Sequence, residues 1–585
     1  MDPNAWSLVG VALIVVATFA IGIWGSRSAR TTSDFSTARQ MVPAERNAAA
    51  ISGEYLSAAS FLGVAGLVLK DGADALWYPI GFAAGYLALM LFVAAPMRRS
   101  GVFTLPDFAE ARLDSRPLRS LCTALVLVIG WFYLVPQLQG AGLTLSAILP
   151  MPYWVALLVV AVITLTSVVS GAMRAVTLVQ AFQYWVKLFA ITLPAFALFV
   201  VFLSTGGPRA QALDRPLPPV FPQDTSVHVH TDVRLQVTAP VWLADGPDAL
   251  YLRPGEYSVP AGSVLHFPEG AAVPVVVGGE TNNADWLRPQ HGGPTGLIET
   301  YSVLIATFLG TMGLPHVLAR FYTNPSGQGA RRTTLYVLAM LGAFYLFPTI
   351  FGLLSRLYVP QLLVTGDTDA AVLMLPHAML GNWVGGLLGA VTAAGAFAAF
   401  LATSSGLIMS VAGVLSTDVL RGRIRDFRWV AVLACVPPVV LAFPGLEQDV
   451  ARSVGMAFAM AASTFSPLLV LGIWWRGLTA VGAAAGMTVG GVLVALAMVV
   501  NRVFGPTGTW YATLIEQPAL LTVPLAFAVT VVVSRATRNR VPAGVGREML
   551  RMHAPDRLGF VRDQTRRPGE DTVPPTGGRH QRRVE

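Results

Sequence analysis

The chain has 585 residues, of which 54% are hydrophobic and only 12% charged, a balance too apolar for a water-soluble protein of this length. Its formal net charge of +8 does not point to nucleic acid, because the arginines gather in short loops beside apolar runs and in the C-terminal tail. Cys122 and Cys435 both lie inside apolar runs, which argues against a disulfide framework or a cysteine metal cluster.

Apolar runs recur near the ~20 residues needed to cross a bilayer. They predict about thirteen spans, near 5–25, 47–69, 75–97, 119–147, 152–172, 176–204, 297–320, 333–357, 382–415, 428–445, 450–473, 478–500 and 515–534. The first, Ala5 to Trp24, has no basic n-region and no small-residue cleavage site, so it reads as a retained span. Basic residues alternate between sides. Arg27, Arg30, Arg39 and Arg46, then Arg98, Arg99, Arg112, Arg116 and Arg119, then Arg331 and Arg332, then Arg421, Arg423, Arg425 and Arg428 share one side. The other side carries few, such as Lys70 and Arg356. The positive-inside rule therefore places the N-terminus outside and the C-terminus in the cytoplasm of a bacterial cell membrane. Trp6, Trp77, Tyr78, Tyr153, Trp154, Trp474 and Trp475 sit near span ends, where an aromatic belt belongs.

The second span contains AAAISGEYLSAASFLGVAGLVL, Ala48 to Leu69, with Gly53, Glu54, Tyr55, Ser57 and Ser60 near its middle. A carboxylate at that depth marks a functional site, and the small and hydroxyl residues around it suit a helix that breaks and offers free carbonyls to an ion. The sixth span, VQAFQYWVKLFAIT, sets Lys187 about 12 residues, or ~18 Å, into a helix. The only other lysine is Lys70, against abundant arginine, so an ammonium in particular is called for here. Three readings stand open: a counter-ion to a carboxylate substrate or to Glu54, an amine that replaces sodium and exchanges a proton, or a fixed structural ion pair.

Residues 206–295 are rich in Pro, Gly and Val, and the alternating TSVHVHTDVRLQV predicts a strand in an outside, β-rich insertion. His228, His230, His266 and His291 leave a surface metal site open, against the plainer reading of HVH as a solvated strand face. In GTMGLPHVLARFYT, Gly310 to Thr323, Pro315 and the glycines before it predict a second interrupted helix or a kinked packing helix, with Arg320 marking its cytoplasmic end. Thr403, Ser404, Ser405 and Ser410 stand in AFAAFLATSSGLIMSVAGVLSTDVL, Ala396 to Leu420. Such hydroxyls commonly bond back to their own helix, but a Thr-Ser-Ser run opposite a broken helix also suits Na⁺, a hard cation. The charged, Pro/Gly-rich tail after Arg535 is expected to be disordered and is too short for a catalytic domain.

Taken in this order, GEYLSAASFLG, YLVPQLQGAG (Tyr133 to Gly142) and GTMGLPHVLARF resemble the signatures of the sodium:solute symporter family, most closely its acetate and monocarboxylate permease branch. The resemblance runs from the first span to about Arg535. It implies an all-α polytopic membrane protein with a leucine-transporter-type inverted five-plus-five helix repeat. The expected divisions are 1–30 for an additional helix, 47–204 and 297–473 for the repeats, 206–295 for the extracellular insertion, 478–534 for two further helices and 535–585 for the tail. Carried over by position, the family's Na⁺ site falls on the carbonyls of Gly53 and Leu56 and on Ala399, Ala402 and Thr403, counted back from Asp418. Ala402 stands where many members have a second hydroxyl, for which Ser404 or Ser405 would have to substitute, and Glu54 stands where the acetate permease pattern has Asp. Around Val179 and Gln180 there is no counterpart of the carboxylate that some members use for an additional ion.

The candidate substrate contacts are Glu54, Tyr55, Ser57, Tyr86, Gln137, Lys187, Thr307 and Thr311, together with Tyr133 and Gln139, as polar groups in the core helices expected around the two breaks. The sequence thus predicts Na⁺-coupled uptake of a small monocarboxylate such as acetate, propionate or pyruvate. Na⁺ is the coupling ion and no other cofactor is expected; the partners are the carboxylate, Na⁺ and the bilayer, with no nucleic acid and an undefined protein partner for the insertion. No nucleophile, base and orienting group occur at catalytic spacing, so an enzyme is not expected. Two rivals remain: an H⁺-coupled carboxylate transporter using Lys187 and Glu54, and a membrane carboxylate sensor acting through a partner.

Overall fold

The computed structural model describes residues 3–27, 43–102, 104–149, 151–170, 173–205, 211, 213–243, 250–289, 293–321, 324, 326–420, 427–444, 450–504 and 510–556. Ten helical segments among them are long and apolar enough to cross a membrane. Helix is what such sequences must form, because lipid offers backbone N–H and C=O groups no partner outside their own segment.

The chain begins with α1 (Pro3–Arg27). The next helix is interrupted. Its first part, α2 (Ala44–Tyr55), stops where Leu56 adopts φ −70° and ψ 84°, and the chain restarts through a π turn at Ala59–Gly63 into α3 (Val64–Asp71). Then come α4 (Trp77–Ala88), α5 (Ala94–Ser100), the short α6 (Leu105–Leu113), and the long α7 (Arg116–Ile148), α8 (Tyr153–Ser170) and α9 (Met173–Thr205).

Seven short strands follow: β1 (Thr225–His228), β2 (Val233–Val237), β3 (Val241–Leu243), β4 (Leu250–Leu252), β5 (Gly255–Val259), β6 (Val264–Phe267) and β7 (Val275–Val276). They pair antiparallel as β1 with β6, β2 between β5 and β7, and β3 with β4. Small separate sheets suit a segment this rich in Gly and Pro, which interrupt longer ladders.

Beyond α10 (Asn283–Trp286), α11 (Gly293–Gly313) is the second interrupted helix. It breaks at Leu314, φ −71° and ψ 118°, and resumes as α12 (Pro315–Ala319), with the proline at the first turn where its missing N–H costs nothing. The remaining helices are α13 (Gly327–Tyr358), α14 (Leu362–Thr365), α15 (Ala371–Leu380), α16 (Trp383–Val414), α17 (Phe427–Ala442), α18 (Val450–Trp474), α19 (Ala480–Phe504), α20 (Trp510–Glu516), α21 (Ala519–Ala536) and α22 (Val545–His553). The two interrupted helices lie inside the bundle: α2 packs on α9, α9 on α16, α16 on α7, and α11 on both α4 and α18. Apolar side chains such as Leu13, Val162 and Phe196 face outward, as lipid requires.

The tail departs from expectation. Within 545–553 it is helical, with Met549 and Met552 buried against the bundle, because these methionines share one face of an otherwise polar helix. Residues 557–585 lie outside the described residues, as do Arg30, Arg39, Arg421, Arg423, Arg425 and His291.

Candidate functional site

The break after Tyr55 is where the site begins. The Leu56 amide still bonds back to the Ser52 carbonyl, but the amides of Ser60 and Phe61 both turn to the Ser57 carbonyl. The Leu56 carbonyl therefore loses the amide that a continuous helix would bring to it. Close packing brings neighbours to this backbone. A Cβ on Gly53 would lie 2.1 Å from the Gln180 carbonyl oxygen of α9, so only glycine lets α2 and α9 approach this far. From α9 the buried Lys187 ammonium donates to the carbonyl oxygens of Gly53 and of Leu56, the latter at 2.7 Å. From α16 the Thr403 hydroxyl donates to the Glu54 carbonyl at 2.6 Å. The amide of Gln180 reaches the Ala402 carbonyl at 3.1 Å. Lys187 thus bridges the Gly53 and Leu56 carbonyls, Thr403 bonds the Glu54 carbonyl between them, and Ala402 is reached through Gln180. Ala399 is fully buried one turn earlier on α16.

The Glu54 carboxylate lies over Gly406 of the TSSG run, where a Cβ would come within 2.2 Å of it. Its partner is Arg320, whose Nε donates to Glu54 Oε2 at 2.9 Å. The same guanidinium donates to the Thr177 hydroxyl at 2.8 Å and to the Gln180 side-chain oxygen. Arg320 was expected to mark the cytoplasmic end of its helix. It does cap the C-terminal end of α12, but it is only 3% exposed there, because Glu54, Thr177 and Gln180 satisfy its charge.

Aromatic rings wall the space beside the break. Tyr55 meets Tyr86 edge-on with centroids 4.6 Å apart, and its hydroxyl is 2.9 Å from the Thr311 hydroxyl. Tyr133 stands 5.3 Å from the His316 ring and 5.9 Å from Phe458. Gln137 accepts from the Ala58 amide at 3.1 Å, so α7 reads the first residue of the restarted helix. Three buried polar atoms here have no partner among the described residues: the Tyr86 hydroxyl, Gln137 Nε2 and His316 Nε2. Buried polar atoms are normally paired, so orphans at a helix break indicate a place prepared for something else. Thr307 and Gln139 already have partners within the bundle. Thr307 bonds back to the Val303 carbonyl at 2.7 Å, and Gln139 reaches the Ala442 carbonyl of α17 at 3.4 Å.

Three participants escaped sequence reasoning. Gln180 was noted only as a place without a carboxylate, yet it links Arg320 to Ala402. Arg320 and His316 lie in the GLPHVLARF motif and were not assigned to the site. Their signal was present, since an Arg and a His four residues apart share a helix face in an apolar span. In the insertion, His266 bonds to Ser226 at 2.7 Å, and among the described residues no three His, Cys or carboxylate groups gather as a metal would need.

Comparison with known proteins supplies the lineage. A family model described as the sodium:solute symporter family matches residues 35–215 and 280–490. The gap between those matches contains every strand of the insertion. Among curated relatives, the uncharacterized symporter YwcA of Bacillus subtilis (strain 168) is 29% identical over 537 residues, covering 88% of this chain and 91% of its own. Among solved structures, a Na⁺-coupled sialic acid symporter in a substrate-bound, outward-open state aligns at TM-score 0.59 and 13% identity, over 91% of this chain and 97% of its own. Mhp1, a nucleobase-cation-symport-1 family transporter, aligns at TM-score 0.48 and 11% identity, over 89% of this chain and 99% of its own. At 13% identity the likeness to the sialic acid symporter is one of fold, the leucine-transporter architecture of two interrupted helices at the centre of a bundle.

Proposed function

The chain belongs to the sodium:solute symporter family, a family of Na⁺-coupled transporters and not of enzymes, and within it we propose that this multi-pass membrane protein carries a small monocarboxylate such as acetate, propionate or pyruvate. The observation that carries the reading is the set of unpartnered atoms beside the first break, the Tyr86 hydroxyl, Gln137 Nε2 and His316 Nε2. They are few, and the walls around them are Tyr55, Tyr133 and Phe458. A short acid, with one polar end and a small apolar remainder, suits such a lining better than a sugar, which needs many side-chain hydrogen bonds. Charge agrees. Glu54, Lys187 and Arg320 in their charged forms sum to −1 + 1 + 1 = +1 deep in the membrane, an excess that an anionic solute neutralises.

Gly53, Leu56, Ala402 and Thr403 form the cation cradle on this reading, with Ala399 beside it, and the solute binds next to it at the aromatic wall. The bundle at 47–204 and its counterpart at 297–473 then rock about that midplane to expose the site alternately. The insertion faces outside and the arginine-rich loops face the cytoplasm of a bacterial cell.

Uptake into proteoliposomes tests the proposal. Labelled acetate, propionate or pyruvate should accumulate against its gradient when a Na⁺ gradient is imposed, with short acids and not sugars competing. Gln137→Leu, which removes a hydrogen bond to a charged group, should raise KM about tenfold or more. Failure of every short acid to accumulate would remove the solute class.

A further inference from the structure

The cation cradle already holds a cation. We propose that the Lys187 side chain supplies, as a tethered ammonium, the charge that the carbonyls of Gly53 and Leu56 call for, so that no sodium ion enters this cradle while Lys187 stands in it. The inference rests on the cradle reading above and concerns what fills it, separately from which solute is carried.

Three observations carry it. First, the ammonium binds both cradle carbonyls at once, donating to Gly53 and, at 2.7 Å, to Leu56. A sodium ion would use those same oxygens, so the two occupants exclude one another. Second, the placement is built. Lys187 and Gln180 lie seven residues, about two turns, apart on one face of α9, and both reach across to the interrupted helix and its α16 neighbour. Gly53 is the glycine that permits this approach. An ammonium suits the position because it is a compact charge with three donors on one nitrogen, so a single atom meets both carbonyls as a bound cation would. Third, the charge balance leaves no room for another cation. Glu54 is already paired with Arg320, so Lys187 is the unneutralised charge of the trio, and a sodium ion at its side would set two positive charges together in a poorly solvated interior.

A sodium ion used by this chain must then bind elsewhere. The organic anion becomes the natural counter-charge to Lys187, which ties solute binding to the state of the interrupted helix without a dissolved ion at the break.

The test uses the purified full-length chain, sodium chloride against choline chloride, and thermal melting together with ²²Na⁺ binding as readouts. Lys187→Ala and the longer Lys187→Met empty the cradle of its charge. Each folded variant is expected to bind one more sodium ion per chain than wild type and to gain a saturable sodium-dependent rise in melting temperature. Adding Thr403→Ala to the same background should abolish that gain. The inference is overturned if either folded variant binds no more sodium than wild type. It is equally overturned if Thr403→Ala in the wild-type background removes a sodium ion that wild type binds. Absence of carboxylate uptake alongside the expected sodium results would remove the solute and leave the tethered cation in place.

Discussion

Glu54 and Arg320 show how one buried charge dictates another. Arg320 is held by Glu54, Thr177 and Gln180 while 3% exposed, so each group is tolerable only because the other is present. Arg320→Ala or Glu54→Ala is expected to lose about 3–5 kcal/mol, the cost of stranding the remaining charge. The double variant Glu54→Gln/Arg320→Met should recover much of that loss, since neither charge is then left alone. Thermal unfolding of the four proteins in detergent measures this. Strictly additive losses would show that the pair does not act as a unit. The sequence identified Glu54 as a marked position but not its partner, because the partner sits 266 residues away on the other interrupted helix.

At the scale of elements, the ends of the bundle are tied by side chains that sequence reading had assigned to surface charge. Arg112, on α6, donates to the Gly472 and Trp475 carbonyls at the end of α18, at 2.8 and 3.1 Å. Burial there lowers its pKa to about 10, with Glu548 acting in the opposite direction. Beyond α22, Asp556 accepts from Arg99 at 2.8 Å and from the Gln328 amide at 3.1 Å, so the tail joins the end of α5 to the start of α13. Burial raises the Asp556 pKa, but the hydrogen bonds from Arg99 and from the amides of Gln328 and Gly327 outweigh it and hold the carboxyl below its usual 3.8. A depressed carboxyl stabilises the fold above its unfolded pKa and loses that contribution as pH falls through the folded one. Asp556→Asn should therefore melt a few degrees below wild type at neutral pH. The difference should shrink below about pH 4, where wild type too is protonated. An unchanged difference down to about pH 3 would show that charge is not what Asp556 contributes.

For the whole molecule, the insertion is joined to the transport core at one end of the first interrupted helix. Trp286 donates to the Val68 carbonyl at 2.8 Å, and the Glu280 amide to the Lys70 carbonyl at 3.0 Å. Arg356, at the end of α13, donates to Asn283, Glu280 and Leu69 while its guanidinium lies 5.1 Å above the Trp286 ring. These contacts tie α3 to α13 through residues 280–286, which follow the last strand of the insertion and open the second stretch matched by the family model. Trp286→Ala should destabilise the protein by about 3–5 kcal/mol, as for a fully buried Trp, although it lies far from the site. If transport rate and melting temperature both stay at wild-type values, the insertion is not mechanically joined to the core.

Resemblance placed this chain among leucine-transporter-type symporters; by itself the sequence determined that it lives in a membrane and that its backbone is prone to interruption near Gly53–Leu56 and before Pro315. Those properties follow from local causes: apolar length, glycine and hydroxyl clusters, and the missing N–H of a proline. The resemblance also assigned Gly53, Leu56, Ala399, Ala402 and Thr403 to one Na⁺ site, and the sequence singled out Lys187, leaving three readings of that residue open. Only the tertiary structure decided that Lys187 points at the freed carbonyls, that Arg320 turns inward to Glu54, and that residues 545–553 fold back onto the bundle. Each of those outcomes depends on which buried donor meets which buried acceptor across hundreds of residues, and periodicity along a chain carries no information about such pairings.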